Sequence, residues 1–401
     1  MREVLRNRAF AKLFSAQIVA LLGTGLLTIA LGLLAFDLAG GDAGVVLGAA
    51  LTIKMLAYVG AGPLLIAATS RVPRKALLIG ADVVRAAIAL MLPFVGEVWQ
   101  IYVLIFVLQC ASATFTPAFQ AVIPEVLPDE RQYTRAMSLS RLAYDLESLL
   151  SPALAAALLL VMSYSNLFLG TVAGFLLSAA LVIATRFPAI ELDASSSFSE
   201  RLTRGARIFG RNVELRALLA LNLAVAAPTA MVIVNTVVLV QQQLDRPQAD
   251  VAILLASYGA GSMVVALSLP HIIERIPERS LMLSGAATVG AGLVGVTATL
   301  FTEPAWGLLL TLWAVLGAGN AAILTTAPRL LRRNASTQER PAAYAAQFAL
   351  SHACFLVTYP LAGILGAALG LGWTSLLLAS IAAIATVAAS ALWQKPAIVS
   401  T

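Results

Sequence analysis

Charged residues are scarce in this chain of 401 residues. Lys, Arg, Asp and Glu make up 11% of the sequence, whereas a soluble protein carries about a quarter, so most of the surface must face lipid. The chain has only two cysteines and two histidines, which excludes a disulfide framework and leaves no spacing typical of a thiolate metal site. We also find no nucleophile–base pair and no phosphate-binding loop. We therefore expect neither an enzyme nor a bound cofactor.

Basic residues are nearly missing from alternate loops. Of the 26 Lys and Arg residues, only Arg246 lies in a predicted outer loop, while Lys54, Arg85 and Arg141 lie within helices or at their edges. Because cytoplasmic loops retain Lys and Arg, this bias predicts a protein of the cytoplasmic (inner) membrane with both termini in the cytoplasm. The net charge of +6 resides at helix ends, which favours anionic lipid headgroups over nucleic acid as partners.

Long apolar stretches are what the sequence has in abundance. A helix needs about 20 apolar residues to cross a bilayer, and twelve stretches meet this length. The first is too long for the hydrophobic region of a signal peptide. The sequence therefore predicts an all-α membrane protein with twelve transmembrane helices. The predicted spans are 11–36, 43–68, 77–96, 100–123, 134–162, 166–187, 216–242, 250–273, 280–302, 305–327, 341–366 and 371–393.

One long interruption divides the spans six and six. It covers residues 188–215 and begins with the serine-rich segment Ser195–Ser197, which is typical of a flexible linker. After Phe198, apolar residues alternate with arginines in a pattern that favours an amphipathic helix on the inner leaflet. We therefore expect an N-terminal bundle in residues 1–187 and a C-terminal bundle in residues 216–401.

The two halves resemble each other in sequence. The segment Arg71–Ile79 recurs as Arg275–Leu283 at an offset of 204 residues, and Ser151–Ala155 recurs as Tyr359–Gly363 at an offset of 208. A third pair of polar residues, in spans 1 and 7, has an offset of 205. Recurrences in the same order at nearly one offset indicate an internal duplication. Two six-helix repeats with inner 3+3 symmetry are the architecture of major facilitator transporters.

The connection between spans 2 and 3 resembles a signature of that superfamily. The family motif Gly-x-Leu-Ala-Asp-Arg-x-Gly-Arg-Lys corresponds here to residues 66–75, where Ser70 replaces the acidic residue and Pro73 the second glycine. The resemblance implies a gating loop whose charges hold neighbouring helix ends together, and Asp82 with Arg85 is expected to substitute for part of the missing acidic residue. The basic residues of the motif are present as Arg71, Arg74 and Lys75.

Shorter segments resemble particular branches of the superfamily. Asn7–Phe14 and Pro117–Gln120 resemble siderophore exporters and macrolide or drug efflux proteins, while Ile53–Tyr58, Ser140–Glu147 and Ser351–Cys354 resemble nickel-resistance exporters. The resemblance implies a monomeric, proton-coupled antiporter that works by alternating access. Its substrate would be an amphipathic drug or siderophore, or a divalent metal such as nickel. An uncoupled facilitator or channel-like permease is the alternative.

Span 5 carries ionisable residues where a charge costs at least about 2.5–3.5 kcal/mol. Arg141 and Asp145 are four residues apart and can pair on one helix face. Glu147 points about 200° away from Asp145 and belongs to a polar stripe. We predict that one carboxylate binds the coupled proton, the alternative for Asp145 being a static ion pair with Arg141. The stripe consists of Ser140, Tyr144, Glu147 and Ser151.

Polar residues in other spans complete the predicted site. Lys54, near the middle of span 2, is expected to neutralise a span 5 carboxylate or bind an anionic substrate group. His352, in span 11, would relay a proton or ligate a metal together with Glu147 or Asp145, or would only bond a neighbouring helix. Amides on spans 1, 4, 7 and 10 are predicted to line the transport cavity. They are Gln17, Gln109, Asn222, Asn235 and Asn320.

Overall fold

The computed structural model describes residues 2–39, 43–187, 197–302 and 305–393, and it is helical almost throughout. Residues 40–42 and 303–304, and residues 188–196 of the predicted linker, lie outside the described residues. The helices are α1 Arg2–Leu5, α2 Arg8–Ala39, α3 Ala43–Leu56, α4 Gly62–Thr69, α5 Arg74–Met91, α6 Val98–Val126, α7 Glu130–Leu159, α8 Tyr164–Ile183, α9 Phe198–Arg211, α10 Val213–Val237, α11 Gln248–Ile272, α12 Glu278–Leu300, α13 Trp306–Asn334, α14 Arg340–Leu369 and α15 Leu371–Leu392.

Eleven helical segments in the described ranges are long and apolar enough to cross a membrane. They are α2, the continuous α3–α4 helix, α5, α6, α8 and α10 to α15. Helix α7 corresponds to the twelfth predicted span. Its 30 residues extend about 45 Å, which is sufficient length, but its charged residues keep its hydropathy low. The amphipathic helix predicted after Phe198 is present as α9.

Local sequence explains where several helices begin. Asn7 accepts hydrogen bonds from the backbone amides of Ala9 and Phe10 at the start of α2. Asp129 accepts one from the amide of Gln132 at the start of α7, and Asn212 caps α10. These side chains satisfy amides that have no partner within the helix. The caps therefore mark where α2, α7 and α10 begin.

Two spans contain a π-helical turn. One covers Ala57–Ala61 and joins α3 to α4. The other covers Val238–Gln243 and extends α10. A π-helical turn inserts an extra residue, rotates the side chains that follow it, and is frequent at functional sites. In the α3–α4 helix this turn holds Tyr58.

The described chain divides into two compact units. Unit 1 comprises Met1–Gly205 with Ala335–His352, and unit 2 comprises Ala206–Asn334 with Ala353–Thr401. Helix α14 is therefore shared, its first part belonging to unit 1 and its second part to unit 2. Within each unit, small residues bring helices into backbone contact. In unit 1 a Cβ on Gly174 of α8 would lie 2.7 Å from the Val19 carbonyl oxygen of α2.

Candidate functional site

The polar stripe of α7 lies against α2 in unit 1. The Ser140 hydroxyl donates to Oε1 of Gln17 at 2.9 Å, and Tyr144 lies close to the same side chain. Further along the stripe, the Ser151 hydroxyl donates to Oε1 of Glu147 at 3.4 Å. The first part of the predicted stripe therefore has its partner on the first membrane helix, whereas Glu147 and Ser151 pair with each other within α7.

Glu147 occupies space that a glycine leaves open. A Cβ built on Gly25 of α2 would lie 2.1 Å from Oγ of Ser151 and 2.6 Å from Oε1 of Glu147. Real side chains do not approach so closely, so Gly25 is required for the carboxylate and the hydroxyl to sit where they do. The sequence analysis does not single out Gly25, because the importance of a small residue depends on what another helix places opposite it.

Asp145 and Glu147 have different surroundings. Nη2 of Arg141 lies 2.9 Å from Oδ1 of Asp145, and the Asp145 side chain is only 6% exposed. This is the ion pair predicted from their spacing. Glu147 has no cation within 4 Å among the described residues. The charge that acts on it at longer range is that of Lys54.

Lys54 lies one turn before the π-helical turn of span 2. Its ammonium nitrogen is 5.6 Å from the centre of the Tyr58 ring, within the range of a cation–π interaction. The Tyr58 hydroxyl donates to Oε1 of Gln109 at 2.9 Å. The site in unit 1 thus contains a cation and a carboxylate that interact without forming a contact ion pair.

His352 packs in an aromatic cluster with Tyr58 and Phe348. Its ring centre lies 4.7 Å from that of Tyr58 and 4.3 Å from that of Phe348. Nδ1 lies 2.7 Å from the Phe348 carbonyl oxygen. Because a carbonyl can only accept, Nδ1 carries the proton, and Nε2 of the neutral ring remains as the acceptor. The sequence did not indicate Phe348, which lies one helical turn before His352.

Asp82 and Arg85, which the sequence analysis groups with the gating loop, form a buried pair within α5. Both are less than 6% exposed, and Arg85 bonds directly to Asp82. The Ser178 hydroxyl of α8 donates to Oδ2 of Asp82 at 2.7 Å. The Arg85 guanidinium lies between the rings of Phe115 and Phe175, at 4.2 and 4.5 Å. This pair connects α5, α6 and α8 in the interior of unit 1.

The basic residues of the predicted gating loop have separate partners. Arg74 forms an ion pair with Glu125 at the end of α6. The ammonium of Lys75 donates to the carbonyl oxygens of Ile183 and Thr185 at 2.6 and 2.9 Å. Cations at a helix C-terminus satisfy carbonyls that have no partner in the helix. Arg71 lies exposed in the turn between α4 and α5.

Three of the five predicted amides lie in unit 2, and these three are buried. Asn222 is 3% exposed, Asn235 2% and Asn320 0%. The Asn235 amide donates to the sulfur of Met231 at 3.6 Å. The Asn320 amide donates to Oγ1 of Thr229 at 2.9 Å and to the Tyr258 hydroxyl at 2.7 Å. Thr229 and Tyr258 were not anticipated, because they lie 91 and 62 residues from Asn320.

Candidate metal ligands do not cluster in the part of the chain that the structure describes. No group of three or more His, Cys, Asp or Glu side chains lies together there in an arrangement that could hold a metal ion. Cys110 and Cys354 are both free thiols, and Cys110 packs against Tyr58 and Ala113. The groups near Glu147 are the Ser151 hydroxyl and, at longer range, the ammonium of Lys54.

Sequence comparison supports the predicted family. The profile of the family described as Major Facilitator Superfamily matches residues 13–302 and 217–399. Macrolide efflux protein A of Streptococcus pyogenes is 28% identical over 218 residues, which cover 52% of this chain and 53% of that protein. The chain therefore spans about half the length of the curated relatives it matches.

Solved structures have the same fold along nearly the whole chain. The human organic anion transporter MFSD10 superposes with a TM-score of 0.76 at 13% identity, covering 96% of this chain and 99% of that chain. The E. coli fucose:proton symporter superposes with a TM-score of 0.71 at 19% identity, covering 96% and 98%. The predicted fold class, an all-α membrane protein with the major facilitator fold, is confirmed.

Proposed function

Because the chain belongs to the major facilitator superfamily, whose members carry small molecules across membranes, we propose that it exports an amphipathic organic compound in exchange for protons. It would do so by alternating access, as a monomer in the cytoplasmic membrane, with both termini in the cytoplasm. Glu147 is the residue to which we assign the coupled proton. Lys54 is the cation that stabilises its ionised form.

The contrast between Asp145 and Glu147 carries this proposal. A carboxylate in a contact ion pair, such as Asp145 with Arg141 at 2.9 Å, keeps its charge, because protonation would leave the guanidinium unbalanced. Glu147 has no cation within 4 Å in the described residues and is held by one hydroxyl at 3.4 Å. Such a carboxylate can gain or lose a proton without breaking an ion pair. These surroundings support proton binding as the role of Glu147 and a structural role for Asp145.

Lys54 makes the protonated and the ionised states of Glu147 differ in their surroundings. When Glu147 is protonated, the ammonium is free to attract another group, such as the substrate or solvent. When Glu147 is ionised, the two charges attract each other across a partly buried region, where such interactions are stronger than in water. Proton binding therefore changes what the centre of unit 1 attracts, which is the requirement for exchanging a proton for a substrate.

The substrate class rests on two further observations. Relatives from Streptococcus pyogenes and Enterococcus faecalis are macrolide efflux proteins, and macrolides are large amphipathic organic molecules. The polar groups that surround the candidate site are mostly neutral amides and hydroxyls, which suit an organic solute. The absence of a three-ligand cluster in the described ranges gives the nickel hypothesis no support from geometry. We therefore place a divalent metal second.

Transport into proteoliposomes tests the coupling. We expect radiolabelled erythromycin to accumulate when the interior is made acidic, and nigericin, which collapses the gradient, to abolish the accumulation. Glu147→Gln preserves size and hydrogen bonding but cannot release a proton. It should abolish gradient-driven accumulation while leaving slow downhill movement of erythromycin.

The matched control is the double variant Arg141→Gln with Asp145→Asn, which removes the neighbouring ion pair without leaving a single charge. It should retain the gradient response per folded molecule. Full gradient response in Glu147→Gln would refute the role of this residue. If the unaltered protein moves erythromycin independently of the pH gradient, the protein is an uncoupled facilitator instead. Accumulation of ⁶³Ni²⁺ without erythromycin transport would replace the organic substrate with a metal.

A further inference from the structure

Arg340 is a cation without a counter-charge in the described part of unit 1. It is the first residue of α14, and its side chain has neither a hydrogen bond nor an ion pair among the described residues. Its Nε is buried, although the residue as a whole is partly exposed. A cation at the start of a helix also meets the positive end of the helix dipole, which is unfavourable. An unpaired buried group of this kind calls for a specific explanation.

A second arginine lies close to Arg340. Tyr344 follows one helical turn later on the same face of α14, and its hydroxyl lies 2.6 Å from that of Tyr133 at the start of α7. Tyr133 belongs to the same apolar cluster as Leu78, which lies one turn after Arg74 in α5. The start of α14 therefore lies near the start of α5, and the charges of Arg74 and Arg340 repel each other.

Unit 2 has a corresponding ion pair with its charges exchanged. In unit 1, Arg74 begins α5 and pairs with Glu125 near the end of α6. At an offset of 204 residues from each, Glu278 begins α12 and pairs with Arg329 near the end of α13. The internal duplication therefore preserved an ion pair between these helix ends while its polarity was reversed.

The two groups differ in whether their charges balance. In unit 2 a second arginine, Arg333, lies 3.1 Å from Glu278 and donates to both oxygens of Glu214 at 2.8 Å. Two carboxylates there balance two arginines. In unit 1, Arg340 is the second arginine beside the ion pair of α5 and α6, and no second carboxylate pairs with it in the described ranges. The group in unit 1 therefore lacks the anion that Glu214 supplies in unit 2.

We propose that Arg340 and Arg74 bind the phosphate group of an anionic ligand at this end of unit 1. A guanidinium donates paired, charge-assisted hydrogen bonds to phosphate, and an anion between the two arginines replaces their repulsion by attraction. Both residues are partly exposed, so a ligand can reach them. The site uses none of the residues assigned to proton coupling and does not depend on the proposed export function.

The position of the two arginines indicates the source of the phosphate. Arg74 and Arg340 are the first residues of two candidate membrane spans, so they lie at the level of the lipid headgroups. An anionic phospholipid is therefore the expected ligand, and soluble phosphate is the other source of the same chemical group.

Isothermal titration calorimetry on the delipidated full chain in dodecyl maltoside tests the site. The probes are dioctanoyl phosphatidylglycerol, inorganic phosphate and dioctanoyl phosphatidylcholine, whose choline balances the charge of its phosphate. We expect phosphatidylglycerol to bind at least about tenfold more tightly than phosphatidylcholine, because only its phosphate carries a net charge to the two arginines. Binding that inorganic phosphate does not displace assigns the site to a lipid. Displacement by inorganic phosphate assigns the site to a soluble phosphate.

Arg340→Gln should weaken the binding of phosphatidylglycerol at least about tenfold, since it removes the charged donors. Arg340→Lys keeps the charge but not the paired donors, so it should lose less affinity. The control is Arg216→Gln, which removes an exposed arginine from the first turn of α10 and should leave the affinity unchanged. Unchanged binding in Arg340→Gln, an equal loss in Arg216→Gln, or no binding of any probe to the unaltered protein would overturn the proposal.

Thermal unfolding distinguishes a ligand site from a structural role of Arg340. Without lipid, Arg340→Gln should leave the unfolding midpoint unchanged or raise it, because it removes the repulsion from Arg74 and breaks no ion pair. Phosphatidylglycerol should raise the midpoint of the unaltered protein, since a ligand that binds the folded state stabilises it, and should have little effect on Arg340→Gln. A lower midpoint of lipid-free Arg340→Gln would show that the protein itself holds this side chain, and the proposal would fail.

Discussion

The two units differ in where they keep their charges. Unit 1 holds ionisable residues far from the ends of its membrane helices, namely Lys54, Asp82, Arg85, Arg141, Asp145 and Glu147. In the described part of unit 2, every charged residue on a membrane helix lies within five residues of a helix end, whereas each of those six residues of unit 1 lies at least six residues from one. The interior of unit 2 instead carries buried amides and hydroxyls. Units of similar helical architecture have thus acquired different interior chemistry.

This difference suggests a division of labour. Charged groups in a low-dielectric interior respond strongly to a single proton, so unit 1 is suited to coupling. Neutral hydrogen-bonding groups respond to the shape and the donors of a solute, so unit 2 is suited to recognition. Substitutions of the same kind in each unit test this contrast.

The largest effect on stability is expected at the buried pair of unit 1. Asp82→Asn leaves Arg85, which is 5% exposed, without a counter-charge between two aromatic rings. Breaking a buried ion pair by removing one partner costs about 3–5 kcal/mol. We expect a loss of that size in the free energy of unfolding, measured by SDS titration in detergent with tryptophan fluorescence. The double variant Asp82→Asn with Arg85→Met should recover most of it, and no recovery would show that the pair itself is not the cause.

An equivalent change in unit 2 should cost less. Glu278, the first residue of α12, accepts from Arg329 at 2.8 Å and lies 3.1 Å from Arg333. Arg333 is 52% exposed and also bonds to Glu214, so Glu278→Gln leaves it solvated and still paired. We expect a loss of about 1–3 kcal/mol in the same titration. A loss equal to that of Asp82→Asn would contradict the distinction between interior and end charges.

Gly25 should be less tolerant than Gly32 on the same helix. A Cβ on Gly25 meets Ser151 and Glu147, whereas a Cβ on Gly32 meets nothing within 4 Å. Overpacking costs about 1–3 kcal/mol, so Gly25→Ala should destabilise the protein and impair gradient-driven export. Gly32→Ala should be neutral or stabilising by up to about 1 kcal/mol. Adding Ser151→Gly to Gly25→Ala should recover part of the loss, and no recovery would show that the contact with Ser151 is not its main cause.

Sequence reasoning reached the helices and local pairs but not the contacts between distant helices. Hydropathy and the distribution of basic residues reflect how each segment interacts with lipid and water. They therefore indicate the membrane spans without any knowledge of how the helices pack. The Arg141–Asp145 pair follows from helical spacing alone. The partners of Arg74, Gly25 and Asn320 depend on which helices become neighbours, and periodicity gives only the face on which each residue lies. Asp82 and Arg85 were assigned to the gating loop for the same reason, although they pair in the interior of unit 1.

The smallest effect is expected at Arg246, the one basic residue in a predicted outer loop. Its Nε donates to Oδ2 of Asp250 at 2.6 Å, and its guanidinium lies 4.2 Å from the centre of the Trp306 ring. The charge thus has both a carboxylate and an aromatic face as neighbours. An exposed ion pair contributes about 0.2–1 kcal/mol and an exposed cation–π contact about 0.5–1 kcal/mol. Arg246→Ala should therefore lower the free energy of unfolding by at most about 2 kcal/mol, the sum of the two upper values, with the gradient response unchanged. A larger loss in the SDS titration would mean that unit 2 also depends on a charge, and the contrast between the units would no longer hold.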